Sequence, residues 1–123
     1  IHASVNDALV YNDSLPLADK IICDVPCSGL GTIRRKPEIR YKDLDSIKEL
    51  PELQLKILET SVNYLKSKGK LLYSTCTLNL RENQKVVDAF LANHSDFVLL
   101  SSQTFFPDEN GGDGFFYSVI ERK

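Results

Sequence analysis

The sequence of 123 residues has no methionine, no tryptophan and only three cysteines. An odd number of cysteines with no CxxC pair fits neither a disulfide-rich secreted scaffold nor a zinc ribbon. No apolar run approaches the ~20 residues of a membrane-spanning helix, which argues against an integral membrane protein. Because a translated chain starts with methionine, we expect these residues to be part of a longer protein and to begin inside a domain. The cytoplasm is the expected compartment.

Candidate metal ligands are also scarce, and the net charge is small. The two histidines, His2 and His94, are far apart in the sequence. A metal site that joins one of them to Cys23 and Cys27 is disfavoured, because the CxxxC spacing runs from a strand into a turn. The formal net charge is −2, with 42% hydrophobic and 26% charged residues. This composition and length are typical of one folded domain with a single core.

Periodic apolar residues predict an α/β domain. The order is strand, strand, helix, strand, helix, strand, strand, which favours a mostly parallel sheet with a final antiparallel pair. The first helix covers about 45–67, and its main part is predicted to start at Pro51 and to stop at Gly69. Asn79 and Glu82 have the spacing of a capping box before the second helix. The strands are predicted over residues 1–5, 20–25, 70–74, 97–100 and 115–120.

Candidate functional residues follow the predicted strands, where α/β sheets bind their ligands. Asp7 follows the first strand, the segment 24–27 follows the second, and Cys76 follows the third. In the segment 24–27 a proline stiffens the corner and a carboxylate lies close to the Cys27 thiol. That thiol is a candidate nucleophile or proton-transfer group, and the alternative is an inert thiol in a tight turn.

The Cys76 thiol has the same position on the next strand. A cysteine is an effective nucleophile only as its thiolate, which a nearby helix N-terminus favours, and a predicted helix starts soon after Cys76. The alternative is a buried core cysteine, which is the interpretation we prefer for Cys23 in the middle of an apolar strand. Two thiols at neighbouring strand ends favour chemistry more than one thiol does.

A basic segment follows the Cys27 corner. Residues 34–42 carry five positive charges and one negative charge, so the rest of the chain is acidic. Such a segment could neutralise nucleic-acid phosphates, and Tyr41 could stack on an unpaired base. A solvated loop is the alternative. The predicted RNA contacts are Arg34, Arg35, Lys36 and Arg40.

Three motifs together resemble one enzyme family. They are DVPCSGLG from Asp24, IRRKPEIR from Ile33 and YSTCT from Tyr73, and the ending from Phe106 to Tyr117 extends the likeness over nearly the whole chain. In this combination they resemble the RNA cytosine-C5 methyltransferases, most of all the Sun/RsmB-type branch that modifies small-subunit ribosomal RNA. The resemblance implies a class I, Rossmann-like fold that uses S-adenosylmethionine, with residues 1–123 as the C-terminal portion of the catalytic domain.

The resemblance also implies a role for each matching residue. Cys76 would be the nucleophile, and Cys27 would assist the breakdown of the covalent adduct. Asp24 would contact the cytosine edge and lie against the cofactor, and Asp7 would contact the adenine side of the cofactor. The implied partner is RNA, namely ribosomal RNA.

The sequence departs from this family in one large respect. The Gly-rich cofactor loop and the first two strands of the fold have no counterpart among residues 1–123, so we expect this chain by itself to bind S-adenosylmethionine poorly and to be catalytically inactive. Methyltransferases of other specificity are alternatives, although adenine and glutamine enzymes place another motif where Asp24 to Cys27 stand. In DNA cytosine enzymes the nucleophile would be Cys27. An RNA-binding module without catalysis would keep only the basic segment.

Overall fold

Four strands and two helices form the part of the chain that the computed structural model describes, which is residues 2–107 and 111–123, without the side chain of Leu44. The strands are β1 (Ala18–Asp24), β2 (Leu65–Thr75), β3 (Phe97–Phe105) and β4 (Phe115–Arg122). The helices are α1 (Leu44–Ser61) and α2 (Gln84–Asn93). Three short 3₁₀ turns cover Leu30–Thr32, Pro37–Tyr41 and Val62–Tyr64.

The strands form one mixed sheet in the order β1-β2-β4-β3. β1 and β2 are parallel, whereas β4 is antiparallel to both β2 and β3. Three of the four described strands therefore run in the same direction, and β4 alone is reversed. This agrees with the predicted sheet, including the antiparallel pair of the last two strands, and β1 and β2 contain the predicted strands 20–25 and 70–74 except for residue 25.

The first predicted strand is wrong. Residues 2–5 form no strand, because none of the described strands offers them a partner. The segment that follows lies along α1 and the 3₁₀ turn after it instead. The Asn12 N–H donates a 2.7 Å hydrogen bond to the Tyr64 hydroxyl, and the Tyr11 and Tyr64 rings stack with their centroids 4.9 Å apart.

Helix α1 starts within one residue of the predicted position 45, but it ends before the predicted position 67. It begins at Leu44, because the Asp43 side chain accepts a hydrogen bond from the Asp45 N–H and so caps the first turn. Pro51, the expected first residue, lies inside the helix. Gly69, the expected stop, lies in β2, close enough to Leu65 that a Cβ would be 2.8 Å from the Leu65 side chain. The residues of β2 before Lys70 form an irregularity that shifts its register with β1.

Helix α2 begins at Gln84, with Asn83 as its N-cap and without a side-chain capping bond. The predicted capping box of Asn79 and Glu82 is therefore wrong, since both residues precede the helix in a hydrogen-bonded turn.

Neither helix of the described residues is long and apolar enough to cross a membrane.

The core lies between the two helices and one face of the sheet. Apolar side chains at alternating positions of β2 and β4 pack against α1 and α2 there, among them Leu71, Tyr73 and Ile120. The opposite face carries no helix among the described residues, and Ile22 of β1 is 77% exposed on it. The loops that follow β1 and β2 leave the sheet at one shared edge, which brings their residues together.

Candidate active site

Two loops that leave neighbouring parallel strands form the site. Asp24 ends β1 and is paired in register with Ser74, one residue before the end of β2. The Val25 N–H still donates to the Ser74 carbonyl at 3.2 Å, so the two chains separate only after this point. We call residues 25–29 the Cys27 loop and residues 76–83 the Cys76 loop.

The two loops bring the thiols of Cys27 and Cys76 into contact. The sulfur atoms are 3.2 Å apart, and both residues are half-buried. Cys23 is buried within β1 and contacts Ser61, away from this pair. The expected convergence of two strand-end thiols is thus a feature of the structure, and neither thiol is sealed in the apolar core.

The Cys27 thiol is held in its neutral form. Burial, and after it the hydrogen bond with Cys76, raises the pKa of Cys27 from 9.0 to about 12. At neutral pH this sulfur therefore keeps its proton, and the thiol can donate that proton and take it back. A thiol of this kind is a poor nucleophile, because the thiolate is the reactive form.

Backbone bonds fix the position of Cys76. The Gly31 N–H donates to the Cys76 carbonyl at 3.0 Å, and the Gly114 N–H donates to the Gly31 carbonyl at 2.8 Å. A Cβ at Gly31 would lie only 2.1 Å from the Gly114 carbonyl oxygen. Glycine is required there because three stretches of backbone meet without room for a side chain.

The two predicted carboxylates occupy different places. Asp24 is exposed at the end of β1, where one carboxylate oxygen accepts a 2.9 Å hydrogen bond from the Ser74 hydroxyl. Asp7 lies in an exposed N-terminal turn and accepts from the Leu9 N–H at 2.9 Å. None of the described hydrogen bonds links Asp7 to the thiol pair, so the structure brings together Asp24, Cys27 and Cys76 at one edge but does not join Asp7 to them.

The predicted RNA contacts also divide into groups. Arg35 forms an ion pair with Asp113, and the Arg34 guanidinium donates to the Gly111 carbonyl. These two arginines therefore tie the basic segment to the loop before β4. Lys36 is exposed and lines the cavity described next, together with Arg35.

A cavity of about 430 Å³ opens over the two thiols. Arg35, Lys36 and Lys42 are its cationic lining residues, and the Lys42 ammonium donates to the Ser28 carbonyl at 2.8 Å. A second cavity of about 420 Å³ shares Ile39 and Lys42 with the first. Its cationic lining residues are Arg40, Lys42, Lys48 and Arg81. We call these two adjoining, cation-lined cavities the basic groove, and the thiols line one of them.

Sequence reasoning missed several of these cations. Lys42 lies within the basic segment but was not selected, and Lys48 and Arg81 come from other elements, α1 and the Cys76 loop. The charge run gave a signal for Lys42 only, because the positions of Lys48 and Arg81 depend on tertiary structure.

A buried polar cluster beneath the thiols was missed as well. Gln54 and Glu82 are fully buried, and both hydrogen-bond to groups of the Cys27 loop. The signal available was Gln54 itself, a polar residue on the apolar stripe of α1. Within the described part of the chain, no group of three His, Cys, Asp or Glu residues could hold a metal ion.

Comparison with known proteins points to one family. The family described as 16S rRNA methyltransferase RsmB/F matches residues 3–121. The ribosomal RNA small subunit methyltransferase B of Photorhabdus laumondii is 39% identical over 113 residues, which are 85% of this chain and 26% of that protein. The enzyme of the same name from Proteus mirabilis is 39% identical over 106 residues, covering 85% of this chain and 25% of its own length.

A solved structure agrees with the sequence relatives. NSun6 from Pyrococcus horikoshii, crystallised with SFG, superposes with a TM-score of 0.78 at 27% identity, covering 95% of this chain and 33% of its own. The chain spans about a quarter of the length of the curated relatives that it matches. The chain itself forms part of the Rossmann-like fold of the class I methyltransferases. On these matches, the chain belongs to the RsmB/F family of 16S rRNA methyltransferases.

Proposed function

We propose that this chain carries the thiol-bearing part of the active site of an S-adenosylmethionine-dependent RNA (cytosine-5)-methyltransferase that acts on small-subunit ribosomal RNA in the cytoplasm. The observation that carries the proposal is the 3.2 Å contact between Cys27 and Cys76 at the ends of two parallel strands, under the basic groove. The relatives named as ribosomal RNA methyltransferases support the substrate class.

Paired thiols suit this reaction because C5 of cytosine is a weak nucleophile. The Cys76 thiolate adds its electron pair to C6, and the C5–C6 double-bond electrons move to C5 and make it nucleophilic. S-adenosylmethionine, when bound, supplies the electrophilic methyl group. A base then takes the C5 proton, the C5–H electron pair re-forms the C5–C6 double bond, and the C6–S bond breaks with its electron pair going to the Cys76 sulfur.

The motif around Cys76 is what supports its assignment as the nucleophile, and the burial that raises the pKa of Cys27 suits a group that keeps a proton beside the Cys76 sulfur. Its neutral thiol lies against the Cys76 sulfur and can exchange a proton at that atom as the adduct breaks down. Asp24 is an exposed carboxylate at the same edge, and a carboxylate can accept a hydrogen bond from the amino group of cytosine.

The residues proposed for the cofactor fit part of its chemistry. Asp7 and Asp24 each use one carboxylate oxygen in the described hydrogen bonds, so the second oxygen can accept from an amino or hydroxyl group of a nucleoside. Two exposed carboxylates are a weak site by themselves. We therefore expect this chain alone to give no saturable heat with S-adenosylmethionine below about 1 mM in a titration calorimeter. Tight binding by residues 1–123 would contradict this expectation.

The basic groove supports an RNA substrate. Arg34, Arg35, Lys36 and Arg40 remain our proposed phosphate contacts, and Lys42 extends them towards the thiols. The target cytosine must be unpaired or extruded to reach a cavity of about 430 Å³ at the loop ends. Tyr41, 88% exposed beside the groove, is a suitable surface on which a neighbouring base can stack.

Covalent trapping tests the proposal in the complete gene product that carries this chain. RNA with 5-fluorocytosine cannot lose a C5 proton, so the adduct persists and migrates as a protein–RNA band on a denaturing gel. We expect Cys76→Ala to abolish the band and Cys27→Ala to retain it. The reverse result would make Cys27 the nucleophile, and an unmodified protein that binds RNA without adduct or methyl transfer would support an RNA-binding module.

A further inference from the structure

A buried carboxylate lies beneath the thiol pair and contacts both loops. Glu82 lies in the Cys76 loop and has no exposed surface. One of its oxygens accepts hydrogen bonds from the Ser28 N–H at 2.8 Å and the Gln54 side-chain amide at 3.1 Å. The other oxygen accepts from the Asn79 side-chain amide at 2.9 Å. Ser28 directly follows Cys27, and Asn79 follows Cys76 by three residues.

None of the three donors around Glu82 can turn to present an acceptor atom to residue 82. The Ser28 N–H is a backbone donor, and the Gln54 amide also donates to the Pro26 carbonyl at 2.9 Å. The orientation of the Asn79 amide is fixed because its oxygen accepts from the Arg81 N–H at 3.1 Å. The site therefore requires a side chain with two acceptor oxygens, which a carboxylate supplies and an amide does not.

These bonds act together with two hydroxyl groups. The Ser28 hydroxyl bonds the Thr77 hydroxyl at 2.8 Å, so the residue after Cys27 contacts the residue after Cys76 directly. Glu82 adds charge-assisted bonds on both sides of this contact. Without the carboxylate, the Ser28 N–H would be left as a buried donor without its acceptor, and the Cys27 loop would move to regain one.

We propose that Glu82 is a positioning residue that holds the Cys27 loop against the Cys76 loop and so keeps the two thiols in contact. It touches neither sulfur, and it acts through Ser28 on one side and Asn79 on the other. Its effect on methyl transfer rests on the function proposed above, whereas its effect on thiol contact does not.

A reversed hydrogen-bond pair provides the test. In Glu82→Gln, the new amide N–H₂ faces the Asn79 amide, and two donors meet. Adding Asn79→Asp restores an acceptor there, while the glutamine oxygen still accepts from Ser28 and Gln54. The double variant has the same net charge as the unmodified protein and the same number of hydrogen bonds. Ile120→Val, a core change in β4 away from the loops, is the control for lost stability.

Thiol contact is measured in the complete gene product by the rate at which Cys27 and Cys76 form a disulfide with diamide. This azo oxidant takes one electron and one proton from each thiol as the S–S bond forms, and mass spectrometry follows the linked peptides. We expect E82Q to slow the reaction about tenfold, the effect of one lost hydrogen bond to a charged group. The N79D/E82Q pair should return the rate to within about threefold, and I120V should leave it unchanged.

Methyl transfer gives a second readout. A misplaced partner thiol should lower kcat on the order of 10²-fold and leave KM for RNA nearly constant, and the double variant should recover kcat. Disulfide formation at the unmodified rate in E82Q, or a double variant as slow as E82Q, would overturn the inference. Should E82Q fail to fold, a folded Asn79→Ala variant with unchanged disulfide formation would overturn it too. Slower disulfide formation in a protein without methyl transfer would leave the inference standing and refute only the proposed function.

Discussion

The two site loops and the N-terminal segment 2–17 are both irregular chain, but they are held in opposite ways. The site loops are fixed by buried side-chain bonds, such as Ser28 to Thr77 at 2.8 Å and Thr75 to Asn83 at 2.6 Å. The N-terminal segment forms most of its described bonds within itself and on the surface, as between Ser14 and Asn12.

Burial explains the difference. A buried polar group must find a partner, so each bond in the site loops costs free energy when it is broken. A surface bond can be exchanged for one to water at little cost. In the part of the chain that the structure describes, the two thiols are therefore held in place on loops because the polar atoms beneath them are buried and bonded. Three predictions compare the two regions, in order of decreasing effect.

The largest effect concerns the reactivity of Cys27. Because its pKa is raised from 9.0 to about 12, its thiolate fraction at pH 8 should be about 10³-fold below that of the unfolded chain. Alkylation of the Cys27 peptide by iodoacetamide, followed by mass spectrometry, should be slower by the same factor in the folded protein than in urea. The folded rate should rise about tenfold for each pH unit up to pH 12.

The raised pKa of Cys27 also sets the direction in which the stability of the protein changes with pH. The folded state binds this proton more tightly than the unfolded state, so the contribution of Cys27 to stability is complete below pH 9 and is lost as the pH rises towards 12. Folded and unfolded protein that label at equal rates would mean that the site loops are as open as the N-terminal segment.

A smaller effect is expected where the site loops meet the loop before β4. Gly31→Ala would place a Cβ 2.1 Å from the Gly114 carbonyl oxygen and 2.9 Å from that of Cys76. Both are backbone atoms, so the turn at Gly31 must move away from the backbone at Cys76 and Gly114, and we expect the free energy of unfolding to fall by about 3 kcal/mol in urea titrations. Gly112→Ala is the matched control, since a Cβ there meets nothing within 4 Å. Equal losses in both variants would refute the close packing at Gly31.

The smallest effect concerns the N-terminal segment. Tyr64→Phe removes the hydroxyl that accepts from the Asn12 N–H at 2.7 Å but keeps the ring that stacks on Tyr11. The cost is about 1 kcal/mol, and it falls on docking of the segment and not on the core. Proteolysis within residues 2–17 should become about fivefold faster, with little change in Tm. Tyr11→Phe, which removes an exposed hydroxyl, should match the unmodified protein in this assay.

The elements that the sequence predicted are those with a local pattern. The apolar run at 20–25, the stripe of α1 and the run at 70–74 each carry enough periodicity to be recognised alone. The strand at 1–5 failed because a strand also needs a neighbour, which no local pattern supplies. Gly69 failed as a helix stop because α1 already ends at Ser61 and pairing with β1 makes the chain a strand from Leu65 onward.

The site was also predictable only in part. Cys27 and Cys76 followed from the rule that parallel strands end at one edge, a geometry that sequence order alone implies. The capping-box prediction for Glu82 was wrong although Asn79 does bond to it, because two of its three donors, Ser28 and Gln54, are 54 and 28 residues away and hold its carboxylate before the helix begins. Long-range polar contacts of this kind leave no spacing rule in the sequence.

The bonds from Arg34 and Arg35 to Gly111 and Asp113, with the one from Gly114 to Gly31, make segments 31–35 and 111–114 a single mechanical unit. Anyone who builds a chimaera between this chain and a relative should therefore transplant both stretches from the same parent. Exchange of either stretch alone would remove one member of the Arg35–Asp113 ion pair and release the basic segment that lines the cavity over the thiols.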